Sequence, residues 1–351
     1  MTDKARKWTD EELKDLEKEL TRLYKRANKE ITAEWRAYME RTAKSVSALW
    51  VDYQNAHDVQ EKADALQAYQ DAVRNRTLGD QRYRAMVRQT TKRLARVNQI
   101  AADYINGRLP DIYDVNYRQI ARDFVNAGYT VPTGTMWDIR NEDTMRDLAT
   151  GEVSLPGAIL PTRKVNEAKD MKWNIRQIDS SVLQSILQGE SIKDMSKRIL
   201  PIVNNNKDSA IRAARTMTTA AENMGRQDGY DRFESMGGVV HKVWIATPDK
   251  RVRDWHLSMD GQEVGIHDKF VDGNGDKLMY PGDPTAPGRT VWNCRCSMRS
   301  QIIGYRRSDG SIQPVKRYEH KGLHQDQIQD EKERREEEKR RKEEKKKHKE
   351  G

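Results

Sequence analysis

Residues 237–246 read GGVVHKVWIA, and the residue pattern of the whole chain changes there. β-Branched and aromatic residues crowd the stretch, a glycine pair opens it and Pro248 follows it, so a strand is predicted. Upstream the apolar residues recur at helical spacing; downstream, as far as Tyr305, short extended pieces alternate with turn dipeptides. The fold class expected is α+β: a long α-helical N-terminal body, a small loop-rich α+β module, and a charged tail that is helical or disordered.

Toward the N-terminus, Thr9 and Glu12 have capping-box spacing. Leu13, Leu16, Leu20, Leu23, Ala27, Ile31, Trp35, Met39, Ala43, Val46 and Trp50 then follow in steps of three and four, the stripe of one long helix. Such a stripe serves a coiled-coil seam or the core face of a bundle, and the bulk of Trp35 and Trp50 favours the bundle. Further helices are expected at 58–75, 80–106 and 114–125, with Gly107 and Pro110 stopping the second and Gly128 capping the third. Residues 131–164 are rich in proline and glycine and read as a linker. Helices resume over 165–236, with a turn at Gly189, a cap at Ser191, and Ile211, Ala214, Met217 and Ala221 sharing one face. That turn reads as a packing turn, since no base-contacting residue is required by it. The division expected is 1–130, 131–164, 165–236, 237–305 and 306–351.

The formal net charge is +9, from 64 Lys+Arg against 55 Asp+Glu, which suits an anionic partner. Two cysteines in 351 residues exclude a disulfide scaffold and fit a reducing compartment. The N-terminal stretch has no apolar signal core and no run approaches a membrane span, so no membrane association is expected.

Both cysteines lie in TVWNCRCSMRS, residues 290–300. A disulfide across one residue is a strained ring. A nucleophilic thiol would use the field of Arg295 and Arg299, but no nucleophile signature surrounds it. A metal clip would draw on His256, His267, Cys294 and Cys296, with Asp260 or Asp283 as an oxygen donor in place of His267. Two small buried side chains are the fourth possibility. Residue chemistry leaves the last two open. Trp244, Trp255 and Trp292 are expected in the core of this module. Arg251 and Arg253 are expected to pair with Asp249 or Asp260.

The ordered set Asp249, Arg251, Arg253, His256, Asp260, Gly261, Phe270, Pro281-Gly282 and Asn293-Cys294-Arg295-Cys296 resembles the signature of the phage Mu protein F-like family of minor head proteins. Arg212, Arg215 and Thr216 lie at matching places in the preceding helix, and the resemblance covers residues 165–305. It implies a non-enzymatic role in head morphogenesis of tailed phages or prophages. It further implies few copies inside the capsid near the portal, assembly in the host cytoplasm, and a part in genome packaging or ejection. The implied partners are the portal protein, a major capsid or scaffolding protein, and double-stranded DNA without sequence preference. The set of one His, one Asp and Cys-x-Cys implies a local crosslink, with one structural Zn2+ as the cofactor. The alternative function is a metal-dependent nuclease built on His256, Asp260 and Asn293. For DNA, the tail supplies Lys339, Arg340, Arg341, Lys342, Lys345, Lys346, Lys347 and Lys349, against only Glu343 and Glu344 over the same stretch.

Overall fold

The computed structural model describes residues 3–77, 80–126, 166–188, 190, 194, 197–315 and 325–350, and side chains are not described for 77, 125–126, 325–328 and 345–350. The expected cap at Gly128, the turn at Gly189, the cap at Ser191 and the linker 131–164 lie outside the described residues. Five long helices come first: α1 (Lys4–Asn55), α2 (Val59–Thr77), α3 (Gln81–Asn126), α4 (Glu167–Leu187) and α5 (Leu200–Ser235). Strand β1 (Gly238–Ile245) follows, then a short helix α6 (Asp254–Leu257) and strands β2 (Glu263–Gly265), β3 (Phe270–Val271) and β4 (Lys277–Leu278). Helix α7 (Gly288–Val291), strands β5 (Ser297–Arg306) and β6 (Ile312–Pro314) and helix α8 (Gln325–Glu350) complete the described chain. Helices followed by a small sheet give the α+β class. No helix among the described residues is long and apolar enough to cross a membrane.

The compact units do not follow the linear division read from the sequence. One unit draws on Met1–Asp15, Ile105–Arg163 and Arg212–Gly351, the other on Leu16–Tyr104 and Lys164–Ile211. The tail assignment also shifts, because β6 belongs to the sheet although it lies beyond Tyr305.

In the second unit the α1 stripe is the core. Leu16, Leu20, Ala27, Ile31, Trp35, Met39 and Val46 are buried, and Tyr24 and Tyr38 join them. Polar atoms carried inward are paired, as burial requires: Trp35 Nε1 donates to Thr90 at 2.9 Å and Tyr24 Oη to Asn98 at 2.6 Å. Asn98 donates to Asn206 at 2.9 Å, and Asn206 to Asn174 at 3.0 Å, so one chain of amides links α3, α5 and α4.

In the first unit the helix start moves from its expected place. The cap of α1 is Asp3, whose Oδ1 accepts from Arg6 N at 2.9 Å. Thr9 is buried and accepts from Asn116 Nδ2 at 2.9 Å, while Glu12 pairs with Arg108. Nor does α3 stop at Gly107 and Pro110. Ile105, Leu109, Ile112 and Tyr113 on either side are all buried, and that packing outweighs the hydrogen bond lost at proline.

Four antiparallel strands in the order β2-β1-β5-β6 form the sheet, with a register shift at Val239/Val240. Helix α5 approaches α3 closely enough that a Cβ on Gly225 would lie 2.4 Å from Tyr113 O and one on Gly229 would lie 2.7 Å from Ile120. Gly225→Ala should therefore cost ~1–3 kcal/mol through overpacking. Gly107→Ala, with open space around it, should gain ~0.5–1 kcal/mol in the helix interior. Denaturant unfolding of the two variants checks both signs.

Candidate metal centre

Helix α5 presents a ladder of polar side chains to the segment that carries both cysteines. Thr216 Oγ1 accepts from Asn293 N at 2.8 Å, and Thr219 Oγ1 donates to Cys294 O at 2.6 Å. Asn223 donates to Cys296 O at 3.3 Å and accepts from Met298 N at 3.0 Å. Arg226 donates to Met298 O at 2.9 Å. The segment enters through Asn293, whose φ of 61° is left-handed, a conformation asparagine tolerates better than most residues.

Arg226 anchors more than this ladder. Its side chain is 1% exposed, Nη2 lies 2.7 Å from Asp3 and 3.5 Å from Glu222, and Nε donates to Asn116 at 3.1 Å. Burial opposes its charge, but Asp3 and Glu222 more than offset that and raise its pKa. Burial would raise Asp3 too, yet Arg226 holds that carboxyl below its ordinary value. Glu222 is pushed up by burial and accepts from Ser297.

At the end of the ladder His256, Cys294 and Cys296 converge, all buried, with ligand atoms within 4.8 Å of one another. His256 Nδ1 lies 3.6 Å from each Sγ. This group has the donor types that hold a metal ion. The hydrogen bond from Cys294, and then His256, hold the Cys296 thiol below its ordinary value, while the bond to Cys296 and burial push the Cys294 thiol up. His256 sits on α6 and its ring meets the edge of Trp244 at 5.6 Å; its Nε2 is buried with no hydrogen-bond partner among the described residues.

His267 is not brought to the group. It is exposed, and its Nε2 pairs with Glu234 at 2.6 Å because the turn after β2 carries it to the end of α5. Asp283 is spent on a turn, accepting from Met279 N and Thr285 N, both at 2.8 Å. Asp260 accepts from Ala246 N at 2.8 Å, and burial pushes its carboxyl up. Gly261, with φ of 79°, donates to Trp244 O at 3.0 Å, so Asp260 and Gly261 together close the end of β1.

The arginine pairing follows expectation only in part. Asp249 is gripped on both oxygens by Arg295, and its pKa is lowered: burial raises it, but the Arg295 hydrogen bonds outweigh that. Arg251 is mostly exposed and only 4.0 Å from Asp249, and Arg253 donates to the Trp292 carbonyl. Trp244 is core, Trp255 is half-buried, and Trp292 is half exposed instead of core. Thr219, Asn223 and Arg226 escaped sequence reasoning. The signal was their spacing on α5, which puts polar residues on a face that should have been apolar.

Of the tail residues, Lys339, Arg340, Arg341 and Lys342 lie exposed on α8, with Arg341 paired to Glu337 at 2.7 Å. Lys345, Lys346, Lys347 and Lys349 lie on the same helix, but their side chains are not described. The helix does not hang free at its start: Arg335 bonds Glu331, Asp254 and, at 2.9 Å, Val252 O.

Residues 176–299 match the sequence pattern of the family described as Phage Mu protein F like protein. Minor head protein GP7 of Bacillus phage SPP1 is 25% identical over 240 residues, 62% of this chain and 71% of that protein. NAD(+)--arginine ADP-ribosyltransferase EFV of Enterococcus faecalis is 25% identical over 164 residues, 47% of this chain. The matched part is 32% of that relative's length. No solved structure matches the chain.

Arg226→Met should remove about 3–5 kcal/mol near neutral pH, because it strands Asp3 and Glu222 in the interior. The Asp3 contribution exists only above that group's lowered pKa, so it is lost in the wild type as pH falls through that value. The gap between variant and wild type should therefore narrow under acid conditions. Chemical denaturation of both proteins at neutral pH and near pH 2, well below the ordinary aspartate value of about 3.9, measures it.

Proposed function

This chain belongs to the phage Mu protein F-like family of minor head proteins, and from that premise we propose that it is a non-catalytic, virion-internal protein acting near the portal in head morphogenesis. Genome packaging or ejection is the step it serves, with portal, capsid or scaffolding protein and packaged DNA as its contacts. The observation that carries this reading is how the signature residues are used. Asp249, Arg253, Asp260, Gly261 and Asn293 each hold a piece of backbone or a neighbouring side chain. A motif spent on architecture suits an assembly part.

Zinc is the proposed ion of the His256–Cys294–Cys296 group. Zinc bonds of ~2.0–2.1 Å to nitrogen and ~2.3 Å to sulfur in a tetrahedron place N and S about 3.6 Å apart, and both observed separations are 3.6 Å. Bound there, zinc would tie α6 to the segment before β5, supplying stability that the loops between β2 and α7 lack. Three protein ligands leave a fourth zinc position unfilled, but burial of all three keeps it from the bulk water and nucleic-acid substrate that the nuclease alternative needs. The activity named for the Enterococcus faecalis relative belongs to that protein, of which this chain matches under a third. Purified protein should hold one zinc per chain, and chelation should lower its melting temperature. Cys296→Ser should lose both the zinc and the chelator response. A metal-free wild type melting identically with and without chelator would refute the zinc.

The assembly role is tested by recovery of the chain in purified DNA-filled heads of the phage or induced prophage that encodes it; absence from such particles overturns it. For DNA contact, Glu331 and Arg335 anchor α8, so truncation after Arg335 should leave the fold intact. It should weaken double-stranded DNA binding and flatten the dependence of log Kd on log salt by about 2, since residues 336–351 carry eight Lys/Arg against six Glu and a net excess of about two positive charges is lost. Anisotropy titrations across a salt series measure both effects.

A further inference from the structure

In the unit built from Leu16–Tyr104 and Lys164–Ile211, a cavity of about 340 Å³ opens beside the start of α3, lined by Tyr38, Arg41, Thr42, Ser45, Asp80 and Arg82 among others. We propose that this cavity is a binding site for a phosphate-type oxyanion, with the Tyr38 hydroxyl as its innermost donor. Tyr38 is 5% exposed, and its hydroxyl has no hydrogen-bond partner among the described residues. The ring is fixed edge-on to Trp35 at 6.0 Å and tilted against Tyr83 at 6.5 Å, so the hydroxyl cannot turn out to water. A buried donor left unpaired is costly, and an anion in the cavity supplies the missing acceptor.

The surrounding charges have the sign such a ligand needs. Arg41 and Arg82 reach the cavity from α1 and α3, and Arg76 donates to the Ser45 carbonyl at its edge. Asp80 opposes them, but one of its oxygens is engaged by Arg82 N at 2.8 Å. Three guanidinium groups against one carboxylate leave a positive excess, and the N-terminus of α3, a 46-residue helix, adds to it. Thr42 and Ser45 line the same wall, but their hydroxyls donate to the Tyr38 and Thr42 carbonyls at 3.2 and 2.7 Å, so the donors left for a ligand are the phenol and the guanidinium groups. Donors from α1, the Tyr38 phenol among them, and from α3 face a ligand from both helices. That arrangement suits a tetrahedral anion with acceptors all round better than a planar carboxylate. The phosphate can be a free ion or part of a nucleic-acid backbone. None of these residues belongs to the family-matched region, so the site stands or falls apart from the head-protein reading.

The test uses the full chain. Thermal melts in sodium phosphate are compared with sodium chloride at equal ionic strength, then repeated with a short DNA duplex in place of phosphate. Phosphate should stabilise the wild type beyond chloride. Tyr38→Phe, which keeps the ring packing and removes only the hydroxyl, should weaken phosphate binding about three- to tenfold, and Arg82→Gln should weaken it as well. Protection by the duplex that depends on Tyr38 identifies a backbone phosphate as the source; protection by inorganic phosphate alone identifies a free anion. Equal stabilisation by phosphate and chloride in the wild type, or a phosphate effect undiminished in both variants, overturns the site.

Discussion

A guanidinium with 1% exposure holds the sheet-bearing unit together. Arg226 binds the start of α1 through Asp3, α3 through Asn116 and β5 through the Met298 carbonyl. Moving a charge out of water costs several kcal/mol, so Arg226 is tolerable only while every one of those partners is in place. That requirement makes the arrangement all-or-none. It ties residues near the first position of the chain to a strand almost 300 residues later, which a purely apolar contact would do with less precision of placement.

The close approach of α5 to α3 is the second half of the same constraint. Gly225 precedes Arg226 directly and brings its helix within reach of the Tyr113 carbonyl. Gly282, at φ of 85°, does the corresponding thing on the loop side, where a Cβ would lie 2.9 Å from Ala220 N. One glycine brings α3 close and the other lets the loop before α7 settle on α5. Between them the polar ladder Thr216, Thr219, Asn223 and Arg226 works at hydrogen-bond range.

Local pattern made much of this legible and long-range pairing did not. The α1 stripe, the strand at 238–245 and the meeting of His256 with Cys294 and Cys296 could be read because each depends on residue type and short spacing, or on a recognisable motif. Helix α3 could not, since Gly107 and Pro110 are local stop signals and only the burial of Ile105, Leu109, Ile112 and Tyr113 overrules them. Thr9 and Glu12 mimic a cap because the same residue types bond a neighbouring helix when buried. His267 entered the ligand set by composition alone. Its removal follows from a turn after β2 that nothing in its own neighbourhood announces, and the interleaving of the two units is likewise invisible until distant segments are seen together.

The Cys-x-Cys spacing follows from how the ladder is read. From Thr219 to Arg226 the helix rises about 10–11 Å, at ~1.5 Å per residue. From Cys294 to Met298, past the left-handed Asn293, an extended chain advances about 13 Å, at ~3.3 Å per residue. The two are commensurate, so successive rungs stay in register, and the side chains lengthen from Thr to Asn to Arg as the last gap is closed. An extended segment held by its backbone in this way must send alternate side chains to opposite sides. Cys294 and Cys296 therefore turn together toward His256, and Arg295 between them turns to Asp249. The thiol pair and the salt bridge are two faces of one docked strand. A single intervening residue is the shortest spacing that places both sulfurs on the His256 side while leaving an arginine free to fasten the loop that carries α6.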